Sequence, residues 1–330
     1  MKRLALIILT ISALLLSNAL AAETLYFPHI ASNATWETEI CLINTSTTQN
    51  LTGDLTAYNN FGQQINSTSM SLGPGARQEI VVGADLLNPD QIGYILFESS
   101  SDTISGYTKF YINSKFRVAI PATSKINNSD ILIPHIASSA KWWTGISLLN
   151  TTASAKELII EFSDGTVKNR TIAANEHQAF AIKQLFGNAP QPQIQSAVIK
   201  NGAGLVGLEL FGSNDGFDEN YLSGVLLKVD TTGSIYYPHI ASDANWWTGV
   251  VAYNPSPQTC NLTITPYQKD GTALSTQNLP ISGKQKYIGS AKGLNLPEGS
   301  AWFKIDATHP ITGLELFATY SGNQLADILQ

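Results

Sequence analysis

Long apolar runs are nearly missing from this sequence. The one candidate, Leu4–Leu16, spans about 13 residues, short of the roughly 20 that cross a bilayer. It follows Lys2 and Arg3 and leads into small residues, with Ala19 and Ala21 spaced as a signal-peptidase site. Residues 1–21 therefore read as a secretory signal cleaved near Ala21. No Cys follows the run, which argues against a lipid anchor. Cysteine is scarce throughout, with only Cys41 and Cys260. Export permits a disulfide between them, but geometry decides whether one forms; the simpler reading is two small buried thiols. Charge is scarce too, at 13% of residues. Without the signal, 17 basic and 25 acidic residues leave a net of −8. With no basic stripe, nucleic acid and anionic membrane surfaces are poor partners. Amphipathic segments of ordinary helix length are absent as well.

What is present is a phrase repeated three times: "YFPHIASNATWETEICLIN" from Tyr26, "LIPHIASSAKWWTGISLLN" from Leu132 and "YYPHIASDANWWTGVVAYN" from Tyr236. His29, His135 and His239 stand 106 and 104 residues apart, and such a period marks tandem units. After each phrase come further features in fixed order. A strand ends in a turn, at Asp164-Gly165 and Asp270-Gly271 in the later copies, dipeptides that tolerate positive φ. A polar turn, an alternating strand and a short connector follow. Two strands then close the unit around Gly106, Gly207 or Gly313, and a last strand completes it.

Seven or eight short strands per unit, spaced by turns, predict an antiparallel sandwich of about 100 residues. The expected architecture is all-β: a signal peptide, then three tandem immunoglobulin-like sandwiches over residues 22–128, 129–233 and 234–330. Short polar connectors between them predict a stiff, curved row.

Within the phrase, alternation places Thr144, Ile146, Leu148 and Asn150 on one strand face. Trp36, Trp142 and Trp246 share that face and are expected to plug an end of each core. Asn44, Asn150 and Asn254 close the motif. The second Trp is different: Trp143 and Trp247 correspond to Glu37, and a position that takes both is not deep core. It reads as a partner-binding surface or a joint between units, with the joint preferred.

The prolines belong at a strand edge, and each His reads as bonded to nearby backbone so that it ties down the "IAS" loop. The sharper reading makes it a metal ligand or base, but one His per phrase is too few for zinc. Ser32, Ser138 and Ser242 follow their His by three residues without a consistent third member for a triad. Candidate carboxylate pairs, Glu37 with Glu39 and the loop acids Asp215, Asp218 and Glu219, occur in one copy each, and the loop lacks the spacing of a calcium site. His177 and His309, with no counterparts, read as surface.

The phrase "PHIAS…WWTGISLLN", followed by a D-G turn and the closing "GLELFG", resembles a tandem repeat of exported bacterial proteins. That resemblance implies a secreted sandwich array and carries no catalytic residues with it. The functional expectation is a non-catalytic secreted or periplasmic module, structural or adhesive, that presents loops or sheet edges to a protein or glycan. The rival is a carbohydrate-active or metal-dependent hydrolase built on the His loops. No cofactor is implied, and the oligomeric state is open.

Overall fold

Alternation of apolar and polar residues is obeyed most plainly in "CNLTITPY", Cys260–Tyr267, where every second side chain is buried, as expected of a strand with one face on a core. A computed structural model describes residues 22–112, 116–214, 216–227 and 230–329; the expected signal, 1–21, lies outside the described residues. The first repeat comprises β1 (Glu23–Phe27), β2 (Trp36–Asn44), β3 (Leu51–Tyr58), β4 (Gln64–Leu72), β5 (Arg77–Val81), β6 (Tyr94–Ser99), β7 (Ile104–Ile112) and β8 (Phe116–Pro121). The second comprises β9 (Ile131–Ile133), β10 (Trp142–Asn150), β11 (Lys156–Phe162), β12 (Val167–Ile172), β13 (His177–Ala181), β14 (Ala197–Lys200), β15 (Leu205–Ser213) and β16 (Leu222–Leu226). The third comprises β17 (Thr232–Tyr237), β18 (Trp246–Tyr253), β19 (Cys260–Tyr267), β20 (Gln277–Ile281), β21 (Lys286–Ser290), β22 (Trp302–Thr319) and β23 (Leu325–Leu329).

The pairing is the same in each repeat. An inner sheet runs β1-β6-β3-β4 and an outer sheet β5-β2-β7-β8; the second repeat repeats this as β9-β14-β11-β12 and β13-β10-β15-β16. In the third, β22 is long enough to serve both sheets, pairing with β17 and β19 along its first half and with β18 and β23 along its second. All pairings are antiparallel, so the fold is all-β and sandwich-like. The expected boundary between residues 233 and 234 falls inside β17, which already pairs at Thr232 with Ile311. The connectors after β5, β13 and β21 are single helical turns at Val82–Asp85, Ile182–Phe186 and Lys292–Leu294.

Each sandwich has its own core, represented by Phe27, Ile40 and Phe97 in the first, Ile146, Leu158 and Phe180 in the second, and Tyr237, Leu262 and Phe303 in the third. The motif asparagines pin each one. Asn150 is fully buried; its Nδ2 donates to the carbonyls of Ser154, Ile172 and Ala173, and its Oδ1 accepts from Thr152 N. Asn44 and Asn254 make the same set with Gln49, Leu72 and Gly73, and with Gln258, Ile281 and Ser282. One buried amide thereby satisfies several loop carbonyls that would otherwise go unpaired. Cys41 and Cys260 are buried free thiols.

Candidate functional site

Strand register makes residues of the three repeats directly comparable. Pairing of the phrase strand with the two strands beside it aligns Trp36, Trp142 and Trp246; Glu37, Trp143 and Trp247; Phe110, Phe211 and Phe317; and Arg77, His177 and Lys286. The repeats meet in a constant way. The end of one sandwich, carrying its His loop, first Trp and Phe, rests on the outer sheet of the next.

At the first joint Phe110, Val118 and Ile120 pack against Leu208, Leu210 and Leu222, with Trp36 and Trp143 alongside. The two indoles meet edge to face at 6.2 Å. At the second joint Phe211 packs against Val251, Leu314 and Leu316, with Trp247 and Leu325 alongside. Burying a large apolar side chain contributes about 1.5–3 kcal/mol, so six in the first joint give on the order of 10 kcal/mol before ordering costs.

The first tryptophans correct an expectation. None of Trp36, Trp142 and Trp246 belongs to the core of its own sandwich; all three are half-buried at its end. Trp142 stacks on Tyr221 at 5.4 Å, and Tyr221 meets Trp247 of the next repeat edge-on at 6.4 Å. Alternation identified the face but not that the strand overshoots the sandwich there. The second tryptophans lie in the joints and fold back over the glycine two residues on. A Cβ at Gly145 would lie 3.2 Å from the Trp143 ring, and one at Gly249 2.9 Å from Trp247. That fixes the W-T-G spelling: the ring needs the bare backbone beneath it.

The histidines depart from expectation as well. The "IAS" loop is tied by a threonine: Thr144 Oγ1 accepts from Ala137 N at 2.9 Å and donates to Ala137 O at 3.1 Å. Thr38 and Thr248 do the same for Ala31 and Ala241. The motif His instead reaches across the joint. His29 Nδ1 is 3.3 Å from His177 Nε2, and His177 Nδ1 is 2.7 Å from Asn60 Oδ1. With Nδ1–H of His177 donating to Asn60, its Nε2 accepts from His29, and both rings are neutral. Burial drives the His29 pKa down to about 4 and holds His177 well below its usual range, with His29 adding to the shift. His177, expected on the surface, is thus 3% exposed and central to the joint. His309 is half-buried, its carbonyl receiving Cys260 Sγ.

At the second joint the corresponding residue is Lys286. Its Nζ lies 3.2 Å from His135 Nδ1 and donates to Gln195 O. Burial lowers this lysine to about 7, opposed by Glu209, while burial raises Glu209 well above the carboxylate range. Glu209 is fully buried and neither of its oxygens has a hydrogen-bond partner. His135, Trp142, Phe211, Trp247, Lys286 and Ile288 are among the residues lining a cleft of about 440 Å³ here. A corresponding cleft of about 550 Å³, bounded by His29, Trp36, Trp143 and Leu210, lies at the first joint. Polar contacts seal the second joint further: Tyr221 Oη donates to Thr319 O at 2.6 Å, and Ser223 and Gly224 N donate to Asp327.

Among the described residues two faces of these kinds remain uncovered. In the third repeat, Pro238, His239 and Ser242 are exposed where their counterparts Pro134, His135 and Ser138 are buried. Phe317 is half-buried, against 0% exposure for Phe110 and 2% for Phe211. Tyr320 adds a ring that is 59% exposed. The other uncovered face is the outer sheet of the first repeat, which is charged. Glu37 turns back to accept from Ser32 Oγ at 2.8 Å and Gly83 N at 3.0 Å. Glu39 pairs with Lys109 at 2.5 Å and accepts from Tyr111 Oη at 2.9 Å, while Arg77 pairs with Glu79 and Arg117 lies over the Tyr111 ring.

In the first repeat Ser32 Oγ donates to Glu37 rather than to His29. In the acidic loop Glu219 pairs with Lys141, and Asp215 lies outside the described residues. Among the described residues no three His, Cys, Asp or Glu side chains gather as a metal would require. No family model and no curated protein matches the sequence. Among solved structures, a Bacteroides uniformis β-glucuronidase bound to cyclophellitol-6-carboxylate aziridine is 13% identical, over 57% of this chain and 24% of its own, with a TM-score of 0.14. A bacterial ice-binding adhesin, described for host cell surface retention, is 12% identical over 84% and 85%, with a TM-score of 0.13. The chain thus spans about a quarter of that glucuronidase, and overlaps at such scores carry no functional weight.

Proposed function

We propose that this chain is an exported, non-catalytic scaffold, secreted or periplasmic, that offers the open aromatic end of its third repeat to a protein or glycan partner. The observation that carries the reading is the unequal fate of one surface. The same His–Trp–Phe end is a joint in the first two repeats and is left bare in the third. An exposed aromatic cluster on a rigid support is the usual form of an interaction site. The rival hydrolase reading rests on the His loops, and two of those three histidines are engaged in holding neighbouring repeats together.

The test is binding of the mature chain to a glycan array and to intact cell surfaces. Trp246→Ala with Tyr320→Ala is expected to lower binding about tenfold or more, as loss of aromatic anchors does, with the fold retained by circular dichroism. Binding that is untouched by the double substitution, or no binding on any surface, overturns the reading.

A further inference from the structure

Both joints bury the aromatic end of one repeat under a sheet of fixed pattern. The covering sheet brings a Trp folded over a Gly, leucines at two or three neighbouring positions and, at the start of the adjoining strand, a basic side chain that meets the motif His. His177 fills that basic position at the first joint and Lys286 at the second.

The bare end of the third repeat has every feature that this pattern covers elsewhere. His239 lies 5.4 Å from the Phe317 ring, much as His135 lies 5.5 Å from Phe211. Glu315 stands at the position of Glu209. It is fully buried, and neither carboxylate oxygen has a hydrogen-bond partner. Glu209 has Lys286 of the following repeat facing it; Glu315 faces no such cation among the described residues. Burial pushes Glu315 up to about 8, and an approaching cation would favour its ionised form.

The first repeat shows what such an end rejects. Its outer sheet has Glu37 for the Trp, Glu39 for the Gly, and Tyr107, Lys109 and Arg117 for the leucines. Closing that sheet over Phe317 and Trp246 would strip water from the Glu39–Lys109 pair and from Arg117, a cost that attraction between the charges does not recover. A head-to-tail contact between copies would otherwise propagate without closing, and a polar outer face is how arrays of this kind are kept from stacking.

We propose that the open end of the third repeat is a docking face for one β-sheet of the covering type on a different protein, an apolar outer face bearing a Trp and a Lys or His. The charged sheet of the first repeat bars the chain from filling that end with its own copies. This rests on the reading of the open end as a binding surface and specifies its occupant.

The test gives the full chain the missing pattern, so that the chain itself is the probe. A variant carrying Glu37→Trp, Glu39→Gly, Tyr107→Leu, Lys109→Leu and Arg117→Leu presents the covering sheet at one end and the open end at the other. In sedimentation velocity it is expected to form concentration-dependent head-to-tail oligomers. Adding Phe317→Asp should weaken that association at least about tenfold. A folded variant that sediments like wild type, or association that survives Phe317→Asp, overturns the proposal. So does a wild-type dimer sealed through Phe317, because the end then takes its own copy. If the fivefold variant does not fold, Glu39→Gly with Lys109→Leu, mixed with wild type, supplies the same readout. The outcome is separable from the binding assays above: glycan binding through Trp246 without oligomers keeps the broader reading and sinks this one, and oligomers without glycan or cell binding do the reverse.

Discussion

Strands β7 and β15 occupy the same place in successive sandwiches, yet "ISGYTKFYI" alternates buried with accessible residues while all nine residues of "LVGLELFGS" are buried. Both bury one face in their own core. The difference lies on the other face, where β15 carries the end of the preceding repeat and β7 carries nothing. Lys109 and Tyr107 of β7 become Leu210 and Leu208 in β15. The composition of an outer face therefore records whether a neighbour sits on it, and the loss of alternation along one strand is the mark of a second covering layer.

The comparison can be broken most forcefully by exchanging the two faces. Leu210→Lys places an ammonium in a closed apolar joint and is expected to cost about 3–5 kcal/mol, as an uncompensated buried charge does. Chemical denaturation and a larger radius of gyration in solution scattering would report it, and a loss below about 1 kcal/mol would show that the joint is not sealed. The reverse exchange, Lys109→Leu, removes one partly buried ion pair and should change stability by no more than about 1 kcal/mol. Next in size are the phenylalanines: Phe211→Ala should cost about 3–4 kcal/mol, and Phe317→Ala at the bare end about 1. Equal losses would erase the distinction between covered and open ends. The asparagine pins lie inside each sandwich, so Asn44→Ala, Asn150→Ala and Asn254→Ala should each cost a similar amount, about 2–3 kcal/mol; a marked difference among repeats would mean that the joints feed into the pins.

The remaining effect is that of pH. His29 and His177 have folded pKa values below the unfolded 6.5, with His29 at about 4. The unfolded chain then binds more protons in that interval, so stability is full above about pH 6.5 and falls as pH drops toward 4. Their surroundings, Asn60, Ser147 and Tyr94, contribute no charge to offset the added protons. Allowing for the partial exposure of His29, the loss should be about 1–2 kcal/mol, read as a falling denaturation midpoint that His177→Asn flattens. A midpoint that rises on acidification would contradict the neutral pair.

Much of this was legible in the chain. Period-2 alternation gave the strands, D-G gave turns in which Gly165 and Gly271 adopt φ of 86°, and the Trp-to-Glu exchange at Glu37 pointed to a position outside the core. Other features were hidden for physical reasons. Arg77, His177 and Lys286 become equivalent only through cross-strand register, so His177 looked solitary. Thr144 was visible only as a core-facing residue, because its loop contact closes over seven residues that no period encodes. Glu209 and Glu315 sit inside "GLELF", where alternation reads an outward carboxylate, yet register sets them beside the core residues Ile146 and Val250 on the inner face of their own sandwiches. Nor does alternation tell the middle of a sandwich from its end, which is why Trp142 was expected in the core.

The charged outer sheet of the first repeat also bears on the order in which the molecule can be made. A chain delivered from its N-terminus releases β1 to β8 first, and that sandwich can stand in water on its own because its outer sheet is already wetted by Glu37, Glu39, Lys109 and Arg117. The second sandwich emerges with Trp143, Leu208 and Leu210 bare, but the end that covers them is already waiting, and the third finds the second in the same way. At each stage the newest sticky sheet has an immediate, tethered place to go, which shortens the interval in which partly formed chains can adhere to one another. Reversing the sequence of repeats would keep every sandwich and both joints' chemistry, yet would release the sticky sheets before anything existed to receive them.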